Sequence, residues 1–362
     1  IYIEKNPKIK RKIDELCEEC ISISKMDWDF FETSWNFKRH PFMSMCEGRE
    51  NLLDNCDSQI QYYIGYVFNL WESFVENQFN KLKHNEEELN KIFIDIYGLK
   101  DELTPEVLDK DITMRRADKT RDVKSFISYG VGCMFGRYSI DKEGIVYSGE
   151  EFCSFSGEKS RNFIQYLPDE DNIIPILCEG CFENDMVYRF IQFVSVVFGK
   201  KYLRENLNFI AESLGKKAGE TDEDTLRRYF INDFFKNHVQ MYKKRPIYWL
   251  FTSGKYKAFN CLVYVHRYHK GILSIMRNCY VNKVKDKIYK DIEYLSHKME
   301  YCQKDKKTMR KKLDTLYKKQ HELHVYDEML VHKADMNIEL ELDFGISYNY
   351  KKFLPLVKNL EK

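Results

Sequence analysis

No run of about 18 apolar residues occurs anywhere in this 362-residue sequence, so no membrane span is expected. The opening IYIEKNPKIKRK is polar and basic and lacks the apolar core of a secretory signal. A cytoplasmic location is therefore expected. Its eleven cysteines are odd in number and scattered, which argues against a disulfide framework and for reduced thiols. Only seven prolines are present, at 7, 41, 105, 168, 175, 246 and 355, and no two are adjacent. That excludes the Asn/Asp-Pro-Pro-aromatic loop, whose acceptors and stacking ring hold a flipped adenine during amino methylation. Disorder is excluded as well, because 43% of the residues are hydrophobic and 32% charged.

The charge also lacks a sign, at a formal net of +1. The total hides an asymmetry. Residues 1–110 carry 14 Lys+Arg against 22 Asp+Glu, a net of −8, whereas Lys243 to Lys319 carry 21 against 6, a net of +15. A block of that sign points to an anionic partner, with phosphate backbone as the first candidate. The plainer alternative is a solvated, Lys-rich helical face.

The apolar pattern divides the chain. From Gln59 to Leu82 the spacing of Ile60, Ile64, Val67, Phe68, Trp71, Phe74, Val75 and Phe79 predicts a helix. Asn85 offers an N-cap for a following helix that Gly98 ends. ISYGVGCMFGRYS (127–139) and KEGIVYSGEEF (142–152) read as short strands and turns. Residues 184–199 predict a buried helix, and Thr221 caps another through its acidic first turn. IYWLF and NCLVYVHRY, joined by TSGKYKA, predict a β-hairpin.

Between Gly271 and Gly345 there is neither Gly nor Pro. Apolar residues there step by threes and fours from Val281 to Cys302, and the alternation runs on through Met309, Leu313, Leu316 and Leu323 if Lys306 and Gln320 fill two gaps, a heptad seam with one stutter near Ile288. A helical hairpin folding back near Gln303–Lys306 would bury both stripes in one chain. IELELDFGISYNY (338–350) alternates and predicts a closing strand.

Motifs for chemistry are weak. Cys17-x-x-Cys20 and Cys178-x-x-Cys181 have zinc-ligand spacing but are far apart, and a pair at i, i+3 can simply share a helix face. Gly130-x-Gly132-x-x-x-Gly136 is one residue too long for a dinucleotide fingerprint. His321-Glu-Leu-His324 fails the zinc-protease motif, which needs its second His where Val325 stands. Asp122-Val-Lys124 is an acidic-x-basic triplet, of which composition alone supplies about nine.

Five longer segments say more: DWDFFETSWNFKRHPF (27–42), ELNKIFIDIYGLKDELTPEV (88–107), ISYGVGCMFGRYS (127–139), KRPIYWLFTSGKYKAFNCLVYVHRYHKG (244–271) and IELELDFGISYNY (338–350). Together they resemble the C-terminal portion of the PglX-type adenine-specific DNA methyltransferases of bacterial BREX phage-exclusion systems. The missing Pro-Pro loop and the initial Ile fit a fragment without the methyltransferase domain. The resemblance implies a parent that methylates adenine N6 from S-adenosylmethionine, and a portion that recognises target DNA and docks other BREX components. No catalytic, cofactor-binding or metal-ligating residue carries over, so the portion is expected to be inactive alone and to hold no cofactor itself. Its expected partners are double-stranded DNA, the absent methyltransferase domain and other BREX proteins, with no membrane.

The expected architecture is helix-rich α+β. A helical spacer spans 1–110, a mixed α/β target-recognition-like domain 111–271 and a coiled-coil hairpin 272–335. Residues 336–362 form a strand and tail packing back on the core. The residues expected to meet DNA are Arg115, Arg116, Arg121, Lys124, Lys243, Lys244, Arg245, Lys255, Lys257 and Arg267. The alternative function is a protein-interaction scaffold acting through the helical hairpin.

Overall fold

The computed structural model describes residues 6–46, 62–147, 166–177, 182, 184–301 and 306–360. It is a helix-rich α+β fold that divides into two compact units. Unit 1 is Ile1–Tyr129 with Val197–Phe209, and unit 2 is Gly130–Val196 with Ile210–Lys362.

Unit 1 is built on α1 (Pro7–Asp29), the short α2 (Pro41–Ser44) and the long α3 (Ile64–Tyr97). Asn6 caps α1 by accepting from the Lys8 amide, and Pro7 fills the first helical position, where no amide is needed. Val67, Trp71, Val75, Phe79 and Leu82 line one buried face of α3. The start of α3 is fastened by Asn206, a fully buried side chain. It accepts from the Ile64 amide and donates to the Tyr62 carbonyl. Gly98 ends the helix at φ 69°, as expected. Asn85 does not start a helix, however. It lies inside α3, buried, and its amide donates to Glu19 on α1 at 2.6 Å. A tertiary partner overrides the capping preference there.

The helix α4 (Lys119–Met134) corrects the strand reading of 127–139. Its glycines are there for close packing. A Cβ at Gly130 would sit 2.9 Å from the Phe193 ring, and one at Gly132 would sit 2.4 Å from the Tyr138 ring. Residues 142–147 form bends without a strand, and the rest of KEGIVYSGEEF lies outside the described residues, as do residues 59–61.

The core of unit 2 is a three-stranded antiparallel sheet. Its strands are β1 (Ile174–Pro175), β2 (Tyr248–Thr252) and β3 (Asn260–Tyr264), in the order β1-β3-β2. The predicted hairpin is β2 and β3, with Leu250 opposite Leu262. Every residue of β3 is buried, so β-branched and aromatic side chains occupy both faces. Packed in the same unit are most of α5 (Met186–Phe198), the end of α6 (Leu203–Ser213), α7 (Asp222–Tyr229) and α8 (Phe235–Met241). Thr221 and Asp224 form the capping box of α7, and a π-helical turn, Phe230–Phe234, joins α7 to α8.

After the short α9 (Ile272–Ile275) and a second π-helical turn, Met276–Val281, come α10 (Asn282–Tyr301) and α11 (Lys306–Asp335). They pack antiparallel: Lys285 meets Asp327 at one end, while Leu295 and Leu316 line a common groove nearer the other. Residues 302–305, where the fold-back was expected, lie outside the described residues. The closing strand does not form at 338–350. A 3-10 turn, Leu342–Phe344, leads into α12 (Gly345–Lys351). Asn349 overrides the alternation by accepting from the Glu341 amide and donating to the carbonyls of Glu341 and Gly345. The chain still returns to the sheet a few residues later, through a bridge from Val357 to Phe251.

Candidate nucleic-acid interface

Of the ten cationic residues expected to meet DNA, four lie in unit 1. Arg116 lies 3.0 Å from Asp109 and 3.3 Å from Glu76, with its guanidinium over the Phe79 ring at 4.3 Å. Arg121 donates to Asp122 at 2.8 Å and to the Arg116 carbonyl at 2.7 Å. Arg115 covers the Phe31 ring at 5.1 Å. Lys124 is half-buried on α4. Asp122, weighed as half of an acidic-x-basic element, is buried and accepts from Trp71, from the Asp118 amide and from Arg121. Those bonds give it a structural task.

The other six lie in unit 2, and their settings differ sharply. Arg267 is only 7% exposed and donates to the carbonyls of Phe135 and Glu170. Lys257, at φ 51°, reaches Asn232 Oδ1 at 2.5 Å. Both side chains are committed inside their own unit. Lys243, Lys244, Arg245 and Lys255 are exposed and make no ion pair among the described residues.

Lys243–Arg245 form a built turn at the end of α8. The Lys244 amide donates to Val239 O at 2.8 Å and the Lys243 amide to Gln240 O at 3.1 Å. That is the Schellman pattern, in which the left-handed residue is usually Gly. Here Lys243 and Lys244 take φ 49° and 63°. The far side of the turn is held by His238. Its Nε2 accepts from the Ile247 and Tyr248 amides at 3.0 and 3.1 Å. Burial, reinforced by the charge of Arg137, pushes this imidazole down to about 3, so it stays a neutral acceptor.

The β2–β3 loop at the opposite end of the hairpin is clasped by Glu322 of α11. Its carboxylate accepts from Ser253 Oγ at 2.8 Å, the Tyr256 amide at 2.7 Å and the Ala258 amide at 3.2 Å. The clasp brings Lys255 beside α11. Lys255 and Lys318 both lie over the Tyr256 ring, at 5.8 and 6.0 Å.

Sequence reasoning missed the rest of this surface. Lys306, Lys307, Arg310, Lys311, Lys312, Lys318 and Lys319 face a single acid, Asp314, in the first half of α11, and none makes an ion pair among the described residues. The signal was present in the +15 block, but a charge run on a helix reads as a solvated face.

No family model matches the chain. Two curated relatives do. The adenine-specific methyltransferase PglX of Lacticaseibacillus casei (strain Zhang) is 39% identical over 347 residues, covering 94% of this chain and 28% of the relative. The adenine-specific methyltransferase BrxX of Escherichia coli O9:H4 (strain HS) is 36% identical over 385 residues, covering 99% of this chain and 30% of the relative. The chain is homologous to a segment of the PglX/BrxX adenine-specific methyltransferases. It spans under a third of the length of these relatives.

Such enzymes imply S-adenosylmethionine. The Gly130–Gly136 stretch of this chain does not fit it. Gly130 and Gly132 lie inside α4 against aromatic rings, and no open phosphate- or nucleoside-binding loop is left there. Metal chemistry finds no cluster of three His, Cys, Asp or Glu among the described residues. Cys17 and Cys20 share a half-buried face of α1, and burial, with Glu86 and Cys17 adding to it, pushes the Cys20 thiol up. Cys178 and Cys181 lie outside the described residues. His321 and His324 are exposed on α11, with His324 3.5 Å from Glu328. Among the described residues no helix is long and apolar enough to cross a membrane.

Proposed function

We propose that this chain is the DNA target-recognition and spacer region of an adenine-N6 methyltransferase of a BREX phage-exclusion system. It holds no catalytic residue of its own and works with an S-adenosylmethionine-bearing domain outside it, in the cytoplasm. The observation that supports this most is the set of exposed cations at both ends of the β2–β3 hairpin, Lys243, Lys244, Arg245 and Lys255, which make no ion pair among the described residues, in a chain homologous to a methyltransferase segment. Lysines there neutralise phosphates and set register, while Arg245 has the planar fork that reads guanine edges. The test is fluorescence anisotropy of the 362-residue chain on a labelled duplex over a salt series. Binding should weaken with a log–log slope of about −0.9 per phosphate neutralised. No binding at low salt, or a flat salt series, refutes the reading.

A second reading, an interaction scaffold for other BREX proteins, draws support from the helical pair. Tyr289, Tyr294, Tyr301 and Tyr317 on α10 and α11 are 63%, 62%, 86% and 48% exposed. Exposed tyrosines of this kind are enriched at protein interfaces.

A further inference from the structure

The seam between α10 and α11 changes along its length. In the inner half, Val284, Ile288 and Ile292 are buried, as are Leu323, Tyr326 and Leu330 opposite them. In the outer half the apolar stripes continue with Leu295 and Met299 on α10 and Met309, Leu313 and Leu316 on α11, yet each of these is only half-buried. Two helices cannot enclose a stripe from both sides, so its open flank stays in water unless a third element covers it.

That flank is a groove of about 450 Å³. Leu295 and Leu316 line it together with Tyr294, Lys311, Lys312, Lys319 and one acid, Asp291, which lies 3.4 Å from Lys287 on its own helix. We propose that this groove docks an acidic amphipathic helix of a partner protein, which completes a three-helix bundle. The proposal rests on the scaffold reading and names the chemistry of its partner.

Charge and polarity select this occupant. From Lys306 to Lys319, α11 carries seven cations and one acid, and the cations have no ion pair among the described residues. A second copy would bring the same cations to the same place and be repelled. Duplex DNA would satisfy the lysines but offers no apolar surface for the leucines. A helix with Leu at heptad spacing and Glu on its flanks satisfies both, with ridges seated between two antiparallel neighbours.

The probe is a synthetic helix of about three heptads, roughly 32 Å long, with Leu at the seam and Glu beside it. A shuffled peptide of equal composition serves as its control. Both are titrated against the full chain, against Leu295→Gln/Leu316→Gln and against Lys312→Glu/Lys319→Glu, with a DNA duplex measured in parallel. The patterned helix should bind the wild-type chain at least tenfold more tightly than the shuffled one, and each double variant should lose at least tenfold. Duplex affinity should survive the leucine changes. Equal binding of the shuffled peptide, no binding of the patterned one, or indifference to the leucine pair overturns the proposal. Should the leucine pair unfold the chain by circular dichroism, the lysine pair and the shuffled peptide still decide it. A chain that binds the patterned helix but not the duplex refutes the DNA reading alone.

Discussion

Glycine at positions 243 and 244 separates the strain of the cationic turn from its charge. Both lysines sit in the left-handed region, at φ 49° and 63°, at a helix end where Gly is the usual residue. A side chain in that region costs about 1 kcal/mol. Glycine removes the cost but returns about 0.5 kcal/mol through the looser unfolded chain. Lys243→Gly/Lys244→Gly should therefore be about 1 kcal/mol more stable than wild type, a rise of about 2 °C in Tm for a unit of roughly 200 residues. Lys243→Ala/Lys244→Ala keeps the strain and should show no such gain. Both pairs lose two cations, so both should flatten the salt dependence of duplex binding by up to about 1.8 in log–log slope. The assays are urea unfolding and anisotropy over a salt series. A glycine pair no more stable than the alanine pair refutes the strain. An unchanged slope in both refutes the phosphate contact.

Glu322→Ala should cost about 2 kcal/mol in urea unfolding, because it strands the Tyr256 and Ala258 amides that its carboxylate accepts. Asp327 lies between Arg277 and Lys285, each at 2.8 Å. Burial alone would raise its pKa, but the hydrogen bonds from Arg277 and Lys285 outweigh this and hold it low. Its contribution is thus present above the ordinary Asp value of about 3.9 and lost as pH falls through the lowered one. Asp327→Asn should cost about 2 kcal/mol at pH 7, since both cations are about one-third exposed, and the gap should close in strong acid. His40 in unit 1 and His238 in unit 2 are both pushed down to about 3, chiefly by burial. The unfolded imidazoles take up protons first, so stability falls with pH below about 6.5, by about 1.4 kcal/mol per group at pH 5.5. Urea midpoints that stay flat between pH 7.5 and 5.5 contradict that.

Local signals were legible where one residue sufficed to set the geometry. Thr221 and Asp224 close their capping box, Gly98 stops α3, and β2 and β3 flank their loop. The 3/4 spacing after Gly271 likewise gave a pair of helices. The misreadings share a cause, which is a distant partner. Gly130 and Gly132 look like turn residues until Phe193 and Tyr138 press against them. Asn85 looks like a cap until Glu19 accepts its amide, and 338–350 looks like a strand until Asn349 folds it. Charge along the chain marked a basic block but not which of its side chains stay exposed. Arg267 and Lys257 are committed inward, while α11 supplies cations that no strand or turn pattern marked.

The bridge between Val357 and Phe251 has a consequence for how this sheet avoids company. On the β2 side the Thr252 amide donates to Leu356 O at 2.9 Å, and the Lys358 amide donates to Leu250 O at 2.8 Å. The last described stretch of chain thus takes up the hydrogen bonds that a bare edge strand would offer to any neighbour. Removing residues 354–360 would leave Trp249 and Phe251, both fully buried, on an open ladder. The expected result is self-association through that edge, read as light scattering that rises with protein concentration.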